Sequence, residues 1–139
     1  DDGAEFMRYE KTSFDYILVD GFDEHARAGV LDTLPFYQTC RARLSRQGLL
    51  SVNLLGRERG FEISAERIAQ AFEGRSLLFP SCDSGNSIAL ATAGDAIEVG
   101  SEELVQGAEY WRESSGLNLL PTIARLQQAG CLAKGRLIL

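Results

Sequence analysis

Cysteine, histidine and long apolar runs are all scarce in this chain of 139 residues, and each scarcity closes off a class of protein. The three cysteines, Cys40, Cys82 and Cys131, are odd in number and far apart, with no CxxC pair. Neither a disulfide framework nor a zinc site is therefore expected, and reduced cysteines in a cytoplasmic core are the simple reading. His25 is the single histidine, which excludes a His-rich metal cluster and leaves a catalytic triad no redundancy. No window approaches the roughly 18 consecutive apolar residues of a membrane span, and the first residues are acidic where a secretion leader would be basic. No membrane anchor is read, and a cytoplasmic location is expected. Lys and Arg number 14 against 20 Asp and Glu, a net charge of −6, which argues against a nucleic-acid partner and tolerates a cationic one such as a small amine. Also missing are the phosphate-cradling and nucleophile-bearing glycine signatures G-x-G-x-x-G, G-x-x-x-x-G-K-[ST] and G-x-S-x-G.

What is present is an ordinary globular balance, 45% apolar and 24% charged, in a length that allows one compact core. After an Asp1-Asp2-Gly3 turn, "AEFMRYEK" spaces Phe6 with Tyr9 or Glu10 as a short amphipathic helix would. The period then changes. Tyr16-Ile17-Leu18-Val19 is a continuous apolar run that stops at Asp20, the pattern of a strand buried on both faces of a parallel sheet, with catalytic groups expected at its carboxyl end. A Gly-containing polar loop leads to "PFYQTCRARLSRQG", which sets Phe36, Tyr37, Cys40 and Leu44 on one helical face, with Pro35 in the first turn and Gly48 as the C-cap. A second buried strand, Leu49 to Leu55, follows.

Beyond the charged loop "GRERG", the segment "SAERIAQAFEG" reads as a helix with Ser64 as its N-cap and Gly74 at its end. "RSLLFP" and "NSIALATAG" are joined by the short polar turn "SCDSG", which predicts an antiparallel hairpin. From Gly100 the pattern gives two amphipathic helices, "SEELVQGAEYWRESS" and "NLLPTIARLQQAG", and a short strand, "RLIL". Tyr110 and Trp111 are expected to pack in the core or between elements, with functional stacking the lesser reading, and Pro121 to fall in a first helical turn.

Strand, helix, strand, helix and hairpin make the C-terminal half of a doubly wound, Rossmann-like α/β sheet of the methyltransferase type: parallel strands, a terminal antiparallel hairpin and C-terminal helices. Residues 1–99 form this partial domain and residues 100–139 a helical extension. In such a sheet the strand "YILVD" lacks a neighbour on one side, so a homodimer joined along that edge is expected.

These residues resemble a known family. The run "DDGAEFMRYEKTSFDYILVDGFDE" is similar to the central segment of the polyamine aminopropyltransferases, the spermidine and spermine synthases, with an Asp-Gly turn, a short helix and a strand ending in acids. "LPFYQTCRARLSRQGLLSVNL" resembles the helix and strand that follow there, and "FPSCDSGNSIALAT" the late hairpin. The resemblance spans about residues 1 to 93. It implies transfer of an aminopropyl group from decarboxylated S-adenosylmethionine to a diamine such as putrescine, with no metal, because a sulfonium already activates the methylene. It also implies that Asp20 orients and deprotonates the attacking amine, that Asp23 helps hold it, and that Asp2 accepts from the adenine amino group with Gly3 permitting close approach. The family's Gly-rich turn and ribose-binding acid would lie upstream of Asp1, so a fragment, inactive by itself, is expected.

Other readings of the same residues stay open. Asp20 and Asp23 would also suit the capping of a strand-to-helix loop, and Asp2-Gly3 an ordinary terminal turn. The parent could instead be an S-adenosylmethionine-dependent methyltransferase, or the chain a non-catalytic domain. "DGFDEHARAG" departs from the family's Asp-Ser-Ser/Thr-Asp-Pro pattern, with Phe22 and His25 in the loop that shapes the diamine pocket, and Phe79 stands in place of the hairpin tyrosine.

Overall fold

The computed structural model describes residues 2–22, 28–55, 60–81 and 85–139. They fall into two compact units that meet in sequence between Asp95 and Ala96.

The first unit opens with helix α1, Gly3–Tyr9, and strand β1, Phe14–Val19. A 3-10 turn, Gly29–Asp32, then leads into α2, Leu34–Arg43, and β2, Leu44–Leu55. Helix α3, Gly60–Ala71, and strands β3, Ser76–Leu78, and β4, Asn86–Thr92, complete it. The four strands lie in the order β1-β2-β4-β3. β1 and β2 are parallel, as a strand-helix-strand crossover requires, and β4 is antiparallel to both of its neighbours. The expected order of strand, helix, strand, helix and hairpin is the order observed.

The core lies where α2 and α3 cover the sheet. Tyr37 and Cys40 of α2, Leu50 of β2, and Ile68 with Phe72 at the end of α3 are fully buried, and Phe36 and Leu44 nearly so. Thr33 caps α2 by accepting from Phe36 N, and Pro35 sits in the first turn, where its missing N–H costs nothing. Past α3, Gly74 takes a left-handed conformation (φ +82°) and its N–H reaches Ala69 O at 2.8 Å, so the helix ends at the expected glycine.

Several expectations fail for physical reasons. β1 is not buried on both faces: Ile17 and Val19 face the core, whereas Tyr16 and Leu18 are 55% and 62% exposed. α1 buries Met7 and leaves Phe6 and Tyr9 exposed, because only that side of so short a helix meets the core. Gly48 is not a helix cap. α2 ends at Arg43, and Gly48 lies inside β2. Phe14 pairs with Leu44 but Tyr16 pairs with Leu49, so β2 bulges between those partners. A Cβ on Gly48 would stand 2.9 Å from both the Leu44 side chain and Phe14 O, and one on Gly94 would stand 2.3 Å from Arg46 O. Two glycines thus let three backbone segments close together at the amino-terminal end of β1. Ser64 is likewise not an N-cap. α3 begins at Gly60, and the Ser64 hydroxyl, one turn inside, donates to Asp32 Oδ2 at 2.8 Å.

The second unit contains β5, Glu98–Gly100, α4, Ser101–Ser115, α5, Leu120–Gln128, β6, Leu132–Ala133, and β7, Arg136–Ile138. Its strands form a three-stranded antiparallel sheet in the order β5-β7-β6. The two helices match the expected segments, and "RLIL" supplies β7. Tyr110 and Trp111 do not form a core. They are 65% and 50% exposed and meet edge to face at a centroid separation of 5.9 Å. Among the described residues no helix is long and apolar enough to cross a membrane.

Candidate active site

The carboxyl end of β1 carries the first acid. Val19 is the last strand residue, and Asp20 follows it into solvent. Ligands in open α/β sheets collect at such strand ends, because the chain leaves the sheet there and frees side chains and backbone groups to converge. A cavity of about 330 Å³ lies beside β1. Asp20, Gly21, Gly3 and Leu31 line it together with Phe6, Phe14, Tyr16 and Leu18. It is apolar with one carboxylate at its border, which suits a flat ligand bearing a polar or cationic group.

Asp20 is held by neighbours that periodicity does not reveal. Asn53 Nδ2, near the end of β2, donates to Asp20 Oδ1 at 2.9 Å. Asn86 Nδ2, at the start of β4, donates to Asn53 Oδ1 at 3.2 Å. Two amides thus form a relay across three adjacent strands, each occupying the other's free acceptor or donor. Fixing the Asn53 carbonyl from behind forces its amide N–H toward Asp20, which turns one carboxylate oxygen inward and leaves the other available to a ligand. "VNLL" and "GNSI" read as strand residues, and their convergence follows from the antiparallel register of β2 and β4.

Asp2 has a capping duty. Its Oδ1 accepts from Ala4 N at 2.8 Å and Glu5 N at 3.2 Å, so it starts α1. Gly3 is the first residue of that helix and lines the same cavity as Asp20. The structure therefore brings Gly3 and Asp20 to one cavity, with Asp2 immediately before Gly3. Asp23 and His25 lie outside the described residues.

Leu31 closes the cavity between its two glycines. A Cβ on Gly21 would lie 2.8 Å from Leu31 Cδ1, and one on Gly3 would lie 3.7 Å from Leu31 Cδ2. This approach needs the glycine at Gly21, whereas a Cβ at Gly3 would make only ordinary van der Waals contact. Among the described residues there is no group of three or more His, Cys, Asp or Glu side chains able to hold a metal ion.

A parallel strand-helix-strand pair with an acid at its carboxyl end, completed by an antiparallel hairpin, is the later portion of a methyltransferase-type sheet. No family model matches the sequence. Individual relatives do. Polyamine aminopropyltransferases of two Neisseria meningitidis strains, of serogroups A and B, are each 31% identical over 126 residues, 91% of this chain and 48% of theirs. That of Chromobacterium violaceum is 29% identical over 138 residues, 99% of this chain and 53% of its own. Among solved structures, spermidine synthase from Thermotoga maritima matches 68% of this chain and 34% of its own, at 31% identity and a TM-score of 0.54. A spermidine synthase in complex with the transition-state analogue AdoDATO matches 66% of this chain and 34% of its own, at 33% identity and a TM-score of 0.53. The chain is of the spermidine synthase-like family, as a partial match: it spans about half the length of the curated relatives.

Proposed function

We propose that this chain supplies the acceptor acid and the adenine edge of an aminopropyltransferase that uses decarboxylated S-adenosylmethionine and a diamine such as putrescine. The observation that carries the reading is Asp20: a carboxylate at the end of β1, bordering the cavity that Gly3 also lines, with Oδ1 held by Asn53. The relatives' names support the reaction class, and because the match spans about half their length we read this chain as one part of such a site.

The chemistry calls for such an acid. A diamine is protonated at neutral pH, and only its neutral nitrogen can attack. Asp20 attracts the cation and takes one proton on Oδ2 as the nitrogen forms a bond to the methylene beside the sulfonium. The carbon–sulfur bond breaks, sulfur keeps the electron pair, and methylthioadenosine leaves neutral. Asn53, with its amide fixed by Asn86, keeps the carboxylate turned toward the amine through this exchange. In this reading Asp2 uses Oδ2 to accept from the adenine amino group while Oδ1 continues to cap α1, and Asp23 takes the distal ammonium.

The test is product analysis by mass spectrometry of the full-length natural protein, supplied with putrescine and either decarboxylated S-adenosylmethionine or S-adenosylmethionine. Spermidine from the decarboxylated donor is expected. A methylated product from S-adenosylmethionine alone would replace this reading with a methyltransferase. Asp20→Asn is expected to lower kcat/KM by about 100-fold or more, the scale of general-base loss. Unchanged turnover would remove Asp20 from the role.

A further inference from the structure

Outside the acid and its amide relay, the molecule holds a second polar cluster that the proposed reaction does not use. Asp32 closes the 3-10 turn and is bonded on every side. Its Oδ1 accepts from the Tyr37 hydroxyl at 2.9 Å, and its Oδ2 from Ser64 Oγ at 2.8 Å and Arg67 NH1 at 3.0 Å. The same Arg67 nitrogen also donates to Asp32 O at 2.8 Å. Tyr37 is fully buried and Ser64 nearly so. The phenol's pKa is raised, by burial first and by the adjacent Asp32 second, so the hydroxyl stays a donor through the physiological range.

This cluster joins the turn to two helices that are already fixed by the core. Packing alone would need no carboxylate here, and a half-buried acid whose two oxygens accept three side-chain donors is held in one orientation by them. The residue before Asp32 is Leu31, whose two methyls reach the Gly21 and Gly3 sides of the cavity. A clamp on Asp32 is therefore a clamp on the cavity wall one residue away.

We propose that Asp32 is a positioning residue: through Tyr37, Ser64 and Arg67 it holds Leu31 as the wall against which an adenine nucleoside packs, and so sets affinity for the donor and not for the amine. The inference rests on the aminopropyltransferase reading and names a determinant within it. Asp32 acts through Leu31 and touches neither the amine nor the reacting carbon.

The experiment is a double-mutant cycle in the full-length protein, read by calorimetric titration with two probes, 5′-methylthioadenosine and putrescine. Asp32→Asn and Leu31→Ala are each expected to weaken methylthioadenosine binding about 10-fold while putrescine stays within about twofold. The double variant is expected to lose no more than either single one, because both remove the same wall. Tyr37→Phe, which deletes one of the bonds to Asp32, should show the same preference for the nucleoside at about threefold, and it carries the test if Asp32→Asn fails to fold. Additive losses, equal weakening of both probes, or unchanged nucleoside binding in Asp32→Asn and Tyr37→Phe would overturn the inference alone. Failure of the wild-type protein to bind methylthioadenosine would overturn it together with the reading beneath it.

Discussion

The two units of the chain bury their apolar side chains to different depths. In residues 2–95, Tyr37, Leu50, Ile68 and Phe72 are sealed between helices and sheet. In residues 96–139 the buried apolar residues are Ala108, Ile123, Leu126 and Leu139, while Tyr110, Trp111 and Leu117 stay half exposed or more. A small unit cannot enclose much apolar surface, since its area is large for its volume. A rigid cavity wall needs neighbours that do not yield, so the difference explains why the candidate site is built on the first unit.

Core truncation breaks or confirms this contrast most directly. Phe72→Ala is expected to cost about 3–5 kcal/mol of unfolding free energy and Ile123→Ala about 2 kcal/mol, measured by urea denaturation. Equal costs would mean that the second unit packs as tightly as the first. An alkaline titration sharpens the comparison at a smaller scale. Burial pushes the Cys40 thiol up to about 12 from 9.0. Because the folded state keeps the proton longer than the unfolded chain, the stability from this group is complete below pH 9 and is lost as pH rises toward 12. Between pH 9 and pH 10 the loss is about 1 kcal/mol, and Cys40→Ala should flatten that part of the profile. The smallest effect is expected at Trp111→Ser, within about 0.5 kcal/mol, because half of that side chain is already in water. A larger loss in thermal unfolding would show that Trp111 packs as a core residue.

The legible parts of the fold were those written in consecutive residues. The run ending at Val19, the face of Phe36, Tyr37 and Cys40, and the hairpin around residues 76–92 each carry a period or a turn that only one element satisfies. Asp20 was legible for the same reason, as the place where an apolar strand stops. Asn53 and Asn86 were not, since two polar residues in different strands look unremarkable until the register of β2 and β4 brings them within a hydrogen bond. Gly48 misled because a glycine after a helix is most often a cap, whereas here the backbone of Phe14 and the side chain of Leu44 leave no space for a Cβ inside a bulged strand. Ser64 misled in the same way: its partner is a carboxylate from a turn 32 positions earlier, which no local pattern announces. The exposed faces of Tyr16 and Trp111 were missed because apolar character alone does not say which side of an element is covered.

The glycine-tight end of the sheet has a further consequence. With Phe14, Leu44 to Gly48 and Gly94 pressed together there, the strands are laced tightly at one extremity, and the β2–β4 ladder runs from it without a break to Leu55 and Asn86. A side chain forced in at either glycine would therefore disturb more than its own neighbours, because the unbroken ladder carries any misregister to the opposite tips, where Asp20, Asn53 and Asn86 meet.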